Sequence, residues 1–311
     1  MKVKNKINAV LIFLGLICIE FVGTYAYRSY NEPGFELLGT NDLKIHYLDV
    51  GQGDSTFIEL PNGKTFLIDA GEVDYGKSVV NYIKKLNYTK IDYVFATHPH
   101  SDHIGGMAEV IKNFNVGNIY MPNVSSNSSL YLDLLKVIEA KNKKIVTATA
   151  GKSVVESEDL SLKILAPMNK VYEELNNYSI VLKLTYKEKS FLFMADAEYD
   201  VEMDLLNNKT DIKADVLKVG HHGSTSSTNY NFLKKVSPEI GVISVGANND
   251  YGHPKEKILE KFKNQNVKVY RTDLNGNIVI LSDGIELKVK VEHGSYSWSY
   301  WRWLFSFGTW R

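Results

Sequence analysis

The chain has almost no cysteine: one residue in 311, Cys18, which lies inside an apolar run near the N-terminus. The remainder can therefore build neither a disulfide nor a closed, cysteine-rich structural zinc site. Charge of one sign is also missing. Lys+Arg and Asp+Glu both number 36, so the chain as a whole has no electrostatic pull toward nucleic acid or toward acidic partners. No short internal repeat and no low-complexity stretch is visible, which excludes solenoids and long disordered arms. An apolar fraction of 44% over this length supports a substantial core.

The first residues stand apart. Lys2, Lys4 and Lys6 precede an apolar run from Ile7 to Ile19, the charge-then-apolar order of an export signal. Thr24-Tyr25-Ala26 is an acceptable cleavage site, so a cleaved signal and an uncleaved membrane anchor over residues 1–27 are both open. Either one places the bulk of the protein outside the cytoplasmic membrane. Residues 28–41 are polar and turn-rich and read as a linker. At the other end, Trp298, Trp301, Trp303 and Trp310 fall in residues 294–311, interleaved with Arg302 and Arg311. That pattern suits a membrane interface, a sugar surface or a partner groove, and equally a terminal segment packing its rings on the domain.

Between these ends, over residues 42–293, strand and helix patterns alternate. "LKIHYLDV", "STFIELP" and "KTFLIDA" read as strands, the last two joined by the hairpin signal "PNG". "DYGKSVVNYIKKLN", Met107–Phe114, Ser128–Ala140, "TNYNFLKKV" and "PKEKILEKFKNQ" read as helices. "IDYVFAT", "LSLKILAP", "SIVLKLTYKEKSFLFMA", "ADVLKVG", "IGVISVG", "VKVYRTD", "GNIVILS" and "IELKVKVEH" supply further strands, the third a hairpin through "YKEK". Runs of strands with helices between them predict a layered α/β (α+β) domain.

One loop carries the chemistry. "ATHPHSDHIGG" places His98, His100, Asp102 and His103 within six positions, directly after a strand. Imidazoles and a carboxylate this crowded either pair their polar atoms with neighbours or share cations. The ligand types suit zinc, manganese or iron. His98 and His100, two apart, can project the same way from a strand end, while Asp102 and His103 enter the next helix, so two adjacent cations can be served.

"HPHSDH" resembles the HxHxDH signature of metallo-β-lactamase-fold hydrolases. The series "YLDVGQGDSTFIELPNGKTFLIDAG", "THPHSDHIGG", "NNYSIVLKL", "KVGHHGS", "NNDYGHP" and "YRTDLNG" resembles the hydrolase domain of ComEC-type competence proteins, over about residues 43 to 290. The resemblance implies a four-layer αββα sandwich and two divalent metal ions, zinc first and manganese second. Its ligands would be His98, His100, Asp102, His103, Asp196 and His222, with Asp196 bridging. It implies a hydroxide nucleophile whose pKa the cations lower, and Asp102 as the ligand that keeps the nucleophile-bearing cation electrophilic. Where relatives carry Gly-Asp this chain has Ala195-Asp196, and the histidine most relatives add before the bridging aspartate is absent: none occurs between His103 and His221. Asn176, Asn177 and Ser179 stand near its place, leaving one cation to complete its shell with water or substrate.

The other residues carry two readings each. Asp49, Gln52 and Asp54 orient ligands from behind or shape the "DVGQGD" turn. Asp69, at a strand end, backs the ligand loop. His221 acts on substrate or behind the ligand His222. Ser224, in "GSTSST", presents a hydroxyl to a phosphate, while Ser227 or Thr228 caps the following helix. His253, in a glycine-proline turn, donates a proton to a leaving group or binds substrate. His46 and His293 read as ordinary strand or surface residues.

These readings predict a phosphodiester hydrolase acting on nucleic acid or on a cell-surface polymer of the teichoic-acid type. A β-lactam hydrolase and a non-catalytic binding module are the competing classes. No protein partner is implied.

Overall fold

The computed structural model describes residues 42–294. The expected signal or anchor, the linker up to residue 41 and the aromatic tail from residue 295 lie outside these residues. Among the described residues no helix is long and apolar enough to cross a membrane.

Two sheets form the middle of the molecule. One has eight strands in the order β15 (Leu287–Val291), β14 (Ile278–Ser282), β1 (Leu43–Tyr47), β2 (Thr56–Glu59), β3 (Thr65–Ile68), β4 (Lys90–Phe95), β5 (Asn115–Pro122) and β6 (Ile145–Ala148). The other has seven: β13 (Lys268–Arg271), β12 (Ile240–Ile243), β11 (Val216–Lys218), β10 (Lys189–Phe193), β9 (Val181–Tyr186), β8 (Leu160–Ala166) and β7 (Ser153–Glu156). Side chains alternate across each strand, and both faces of both sheets are apolar. Leu43, Ile45, Ile58 and Phe95 meet Ile164, Leu182, Phe191 and Phe193 in a core between the sheets. The opposite faces present Phe57, Leu67 and Val94 on one sheet, and Leu192, Leu217 and Ile243 on the other.

Helices cover those outer faces. Helix α1 (Gly76–Lys85) buries Val79, Val80 and Ile83. Beyond the short α2 (Ser101–Ile104), α3 (Met107–Asn113) buries Met107, Val110 and Ile111, and α4 (Ser129–Ala140) buries Leu134 and Ile138. On the second sheet, α5 (Tyr199–Asn207), α6 (Tyr230–Val236) and α7 (Glu256–Asn264) contribute Val201, Leu233 and Phe262. The result is the four-layer αββα sandwich.

Several elements differ from the sequence reading. β5, β6, β7 and α5 carry no clear two- or 3.6-residue pattern. β5 is covered on both sides near its end, and β6 and β7 are short edge strands of exposed and half-buried residues, with only Ala148 buried. The cap of α6 is Asn229, whose Oδ1 accepts from the Phe232 amide at 3.0 Å. It is neither Ser227 nor Thr228: the Ser227 hydroxyl donates to the Gly220 carbonyl at 2.8 Å, and Thr228 is left-handed at φ 56°.

Strands β3 to β6 run parallel, as do β10 to β13. Loops leaving the carboxyl ends of parallel strands converge at one edge, the usual place for a site in such sheets. The loops after β4, β10 and β11 supply the ligand-type residues His98, His100, Asp102, His103, Asp196 and His222.

Candidate metal centre

Asp196 organises the centre. Its two carboxylate oxygens face two different groups of side chains. Oδ1 lies 3.2 Å from His103 Nε2 and 3.5 Å from His222 Nε2. Oδ2 lies 3.9 Å from His98 Nε2 and 3.7 Å from His221 Nε2. On the Oδ1 side Asp102 closes the set, its Oδ2 3.1 Å from His222 Nε2 and 3.7 Å from His103 Nε2. One ligand-type atom from each of Asp102, His103, Asp196 and His222 falls within 4.8 Å of all the others. On the Oδ2 side, His98 Nε2 and His100 Nδ1 stand 3.1 Å apart.

Each group is held from behind. Asp69, fully buried, accepts from His103 Nδ1 at 2.8 Å, from the Thr97 hydroxyl at 2.6 Å and from the Thr97 amide at 2.9 Å. His103 is thereby fixed with Nε2 facing inward. His222 Nδ1 donates to the Ser244 carbonyl at 2.9 Å and lies 3.4 Å from Asp54 Oδ1. The Ser179 hydroxyl accepts from the Asp196 amide at 3.2 Å and sits 3.3 Å from His98 Nδ1. Glycine is required at one contact: Gly53 has φ 148°, and a Cβ there would meet the Asp102 carbonyl oxygen at 2.4 Å.

The donor set fits a pair of divalent cations. His103 Nε2 and Asp196 Oδ1 are buried without a hydrogen-bond partner, an arrangement costly in itself and satisfied by a cation. Burial, reinforced by His103, pushes the His98 ring well below the ordinary imidazole range, leaving a neutral ring with a lone pair to share. Burial works to raise the Asp196 carboxyl, yet His222 and His103 hold it well below the usual carboxylate range. Burial also works to lower His103 and His222, but Asp196 and Asp102 outweigh it and raise both rings. The pocket attracts positive charge.

The remaining residues separate into two groups. Gln52, His100, Ser101, Asn176, His221, Tyr251 and His253 line a cavity of about 320 Å³ that opens onto the centre. His253 sits against His221, ring centroids 5.8 Å apart, and stacks on Tyr251. Burial and the neighbouring His221 lower its ring to about 4, so it is a neutral hydrogen-bonding group at neutral pH, not an imidazolium acid. Asp49 is exposed and accepts from the Gly51 amide at 3.1 Å, which makes it a turn residue away from the ligands. The Ser224 hydroxyl lies 3.0 Å from the Ser226 hydroxyl, which stands between it and His221 Nδ1. Asn177 is buried and accepts from the Glu198 amide at 3.1 Å.

Some residues escaped the sequence reading. Lys218, in the apolar strand "VLK", is buried and donates to Asp54 Oδ2 at 2.7 Å. Glu198, two residues beyond Asp196, lies 3.0 Å from His221 Nδ1. His46, read as ordinary, is buried between Tyr82 and Glu59 at 2.9 Å from each. A lysine inside an apolar run was the one visible signal. The others depend on contacts distant in the chain.

This chain belongs to the metallo-β-lactamase superfamily, whose family model matches residues 48–247. Within it the chain is ComEC-like. It is 27% identical over 292 residues to ComE operon protein 3 of Bacillus subtilis, covering 88% of this chain and 36% of that protein. It is 26% identical over 291 residues to Recombination protein 2 of Haemophilus influenzae, covering 91% of this chain and 34% of the relative. The chain thus spans about a third of the length of these relatives. Among solved structures, CmlA, a diiron β-hydroxylase from Streptomyces venezuelae, shares the fold at a TM-score of 0.52 and 15% identity, over 77% of this chain and 54% of that one.

Proposed function

We propose that this metal-dependent hydrolase is a phosphodiesterase that acts outside the cytoplasmic membrane, with a nucleic-acid strand as its substrate. The observation that carries the reading is the division of Asp196 between two sets of imidazoles at the floor of an open cavity. Two divalent cations, zinc or manganese, held by His98, His100, Asp102, His103, Asp196 and His222, would supply Lewis-acid charge and lower the pKa of an attacking water. The protein's part is orientation. Asp69 and the Ser244 carbonyl fix the inward nitrogens of His103 and His222, and Ser179 fixes the Asp196 backbone. Gln52, Asn176 and His253 stand on the cavity wall, where neutral polar groups can hold phosphate oxygens. Location outside the membrane rests on the lysine-flanked apolar run over residues 7–19, and the nucleic-acid substrate rests on the likeness to the competence proteins.

A second reading is favoured by one feature. A second cavity, of about 410 Å³, shares Gln52, Ser101, Asp102 and Tyr251 with the first and is lined also by Glu72, Asp74 and Tyr75. Carboxylates there repel a polyanion and suit a phosphodiester that carries a cationic group, as on a cell-surface polymer.

Assay of the purified protein, loaded with zinc or manganese, tests these readings against single-stranded DNA, teichoic-acid fragments, a chromogenic phosphodiester and nitrocefin. Cleavage of DNA supports the first, and cleavage of the polymer alone the second. Hydrolysis of nitrocefin only would overturn both, as would less than one bound metal per chain, which marks a binding module.

A further inference from the structure

The two sides of Asp196 are unequally furnished. Its Oδ1 side holds three further ligand atoms from Asp102, His103 and His222, which with Asp196 would give one cation four protein ligands. Its Oδ2 side holds His98 and His100, one nitrogen short. A third imidazole nevertheless faces the same oxygen: His221 Nε2 stands 3.7 Å from Asp196 Oδ2, against 3.9 Å for His98 Nε2.

The surroundings of His221 are those of a ligand. Its Nδ1 lies 3.0 Å from Glu198 Oε1 and 3.0 Å from the Ser226 hydroxyl. The Glu198 carboxylate accepts a hydrogen bond from Nδ1–H, which leaves the Nε2 lone pair facing Asp196. Glu198 is in turn held by the turn that stands where a further histidine was expected. The Asn176 amide donates to Glu198 Oε1 at 3.2 Å, and the Glu198 backbone N–H donates to Asn177 Oδ1 at 3.1 Å. The backbone adds an independent observation. His221 and His222 are both left-handed, at φ 47°, ψ 49° and φ 52°, ψ 22°, a conformation that residues with a Cβ disfavour. The His221 amide donates to the Ala195 carbonyl at 2.9 Å, and the Ser224 amide to the His221 carbonyl at 2.7 Å. Consecutive left-handed residues turn the two rings to opposite sides of one carboxylate, and such strain persists where function needs it.

We propose that His221 is a metal ligand on the His98–His100 side, through Nε2, and that Glu198 is its positioning residue. His221 and His222 are then not alternatives but one ligand for each cation. The proposal rests on the two-cation reading of the centre and not on the identity of the substrate.

The test is a titration of the chelator-stripped, full-length protein with cobalt(II), followed by calorimetry and visible absorption. Wild type takes up two cobalt ions per chain. His221→Ala keeps one site at wild-type affinity, weakens the other at least 10-fold and changes the absorption of that site alone. Glu198→Gln, a milder change for use if the alanine variant does not fold, weakens the same site about 10-fold. Two cobalt ions bound by both variants with wild-type affinities and spectra would overturn the proposal. A wild type that takes up fewer than two would overturn the two-cation reading with it. A wild type that takes up two cobalt ions but hydrolyses no phosphodiester would count against the substrate reading alone.

Discussion

Lys218 donates to Asp54 across 2.7 Å, with both residues almost wholly buried, Lys218 from β11 of one sheet and Asp54 from the loop entering β2 of the other. Burial works to raise the Asp54 carboxyl, but Lys218 and His222 together hold it far below the usual range. The pair ties the two sheets beneath the metal centre and keeps a charge behind His222.

Removing one partner of a buried pair leaves the other charge uncompensated. Lys218→Met is expected to destabilise the protein by about 3–5 kcal/mol in urea unfolding. Lys218→Met combined with Asp54→Leu is expected to recover much of that loss. A single variant within about 0.5 kcal/mol of wild type would mean that water already neutralises Asp54.

Asp102 and Asp196 present inward oxygens and add little to the apolar cores. Asp102→Ala and Asp196→Ala are each expected to abolish hydrolysis of a chromogenic phosphodiester, by about 10³-fold or more. Far-ultraviolet circular dichroism is expected to stay as in wild type. Full activity in either variant would sink the two-cation mechanism.

Unpaired buried atoms at His103 Nε2 and Asp196 Oδ1 cost stability until a cation meets them. Zinc or manganese at 100 times its dissociation constant is expected to stabilise the fold by about 2.7 kcal/mol. Chelation should therefore lower the melting temperature by roughly 5–10 °C. A melting curve indifferent to chelator and metal would contradict the fit.

Acid sensitivity has a source away from the centre. Glu59 accepts from His46 at 2.9 Å, from Tyr88 at 2.7 Å and from Lys44 at 3.2 Å. Burial works to raise its carboxyl, yet His46 and Tyr88 hold it at about 2, below the ordinary 4.5. A carboxylate depressed on folding adds stability above the unfolded value and loses it as pH falls through the folded one. Glu59→Gln is expected to cost about 2 kcal/mol above pH 5, less than the full shift implies because the group keeps some solvent contact. That difference should shrink between pH 4.5 and pH 2. A gap independent of pH would show that Glu59 acts through packing alone.

The legible parts of the chain share one property: their determinants lie close together in sequence. Residues 98–103 announce a metal loop because six positions and one turn contain its chemistry. Strands such as β1 and β10 were visible because alternation or an apolar run is a local signal, whereas β6 and β7, short and half exposed, gave none. Residue type and spacing thus determined the layered class and the ligand loop, while only the resemblance to the family marked the histidine missing after it. Tertiary structure decided the rest. It joined Lys218 to Asp54 over 164 positions and His222 to Asp102 over 120. It set Glu198 behind His221, and it divided the oxygens of Asp196 between two groups of rings. Coordination depends on directions and distances of a few ångströms, and those are fixed only when loops from different strands meet at one edge of the folded sheets.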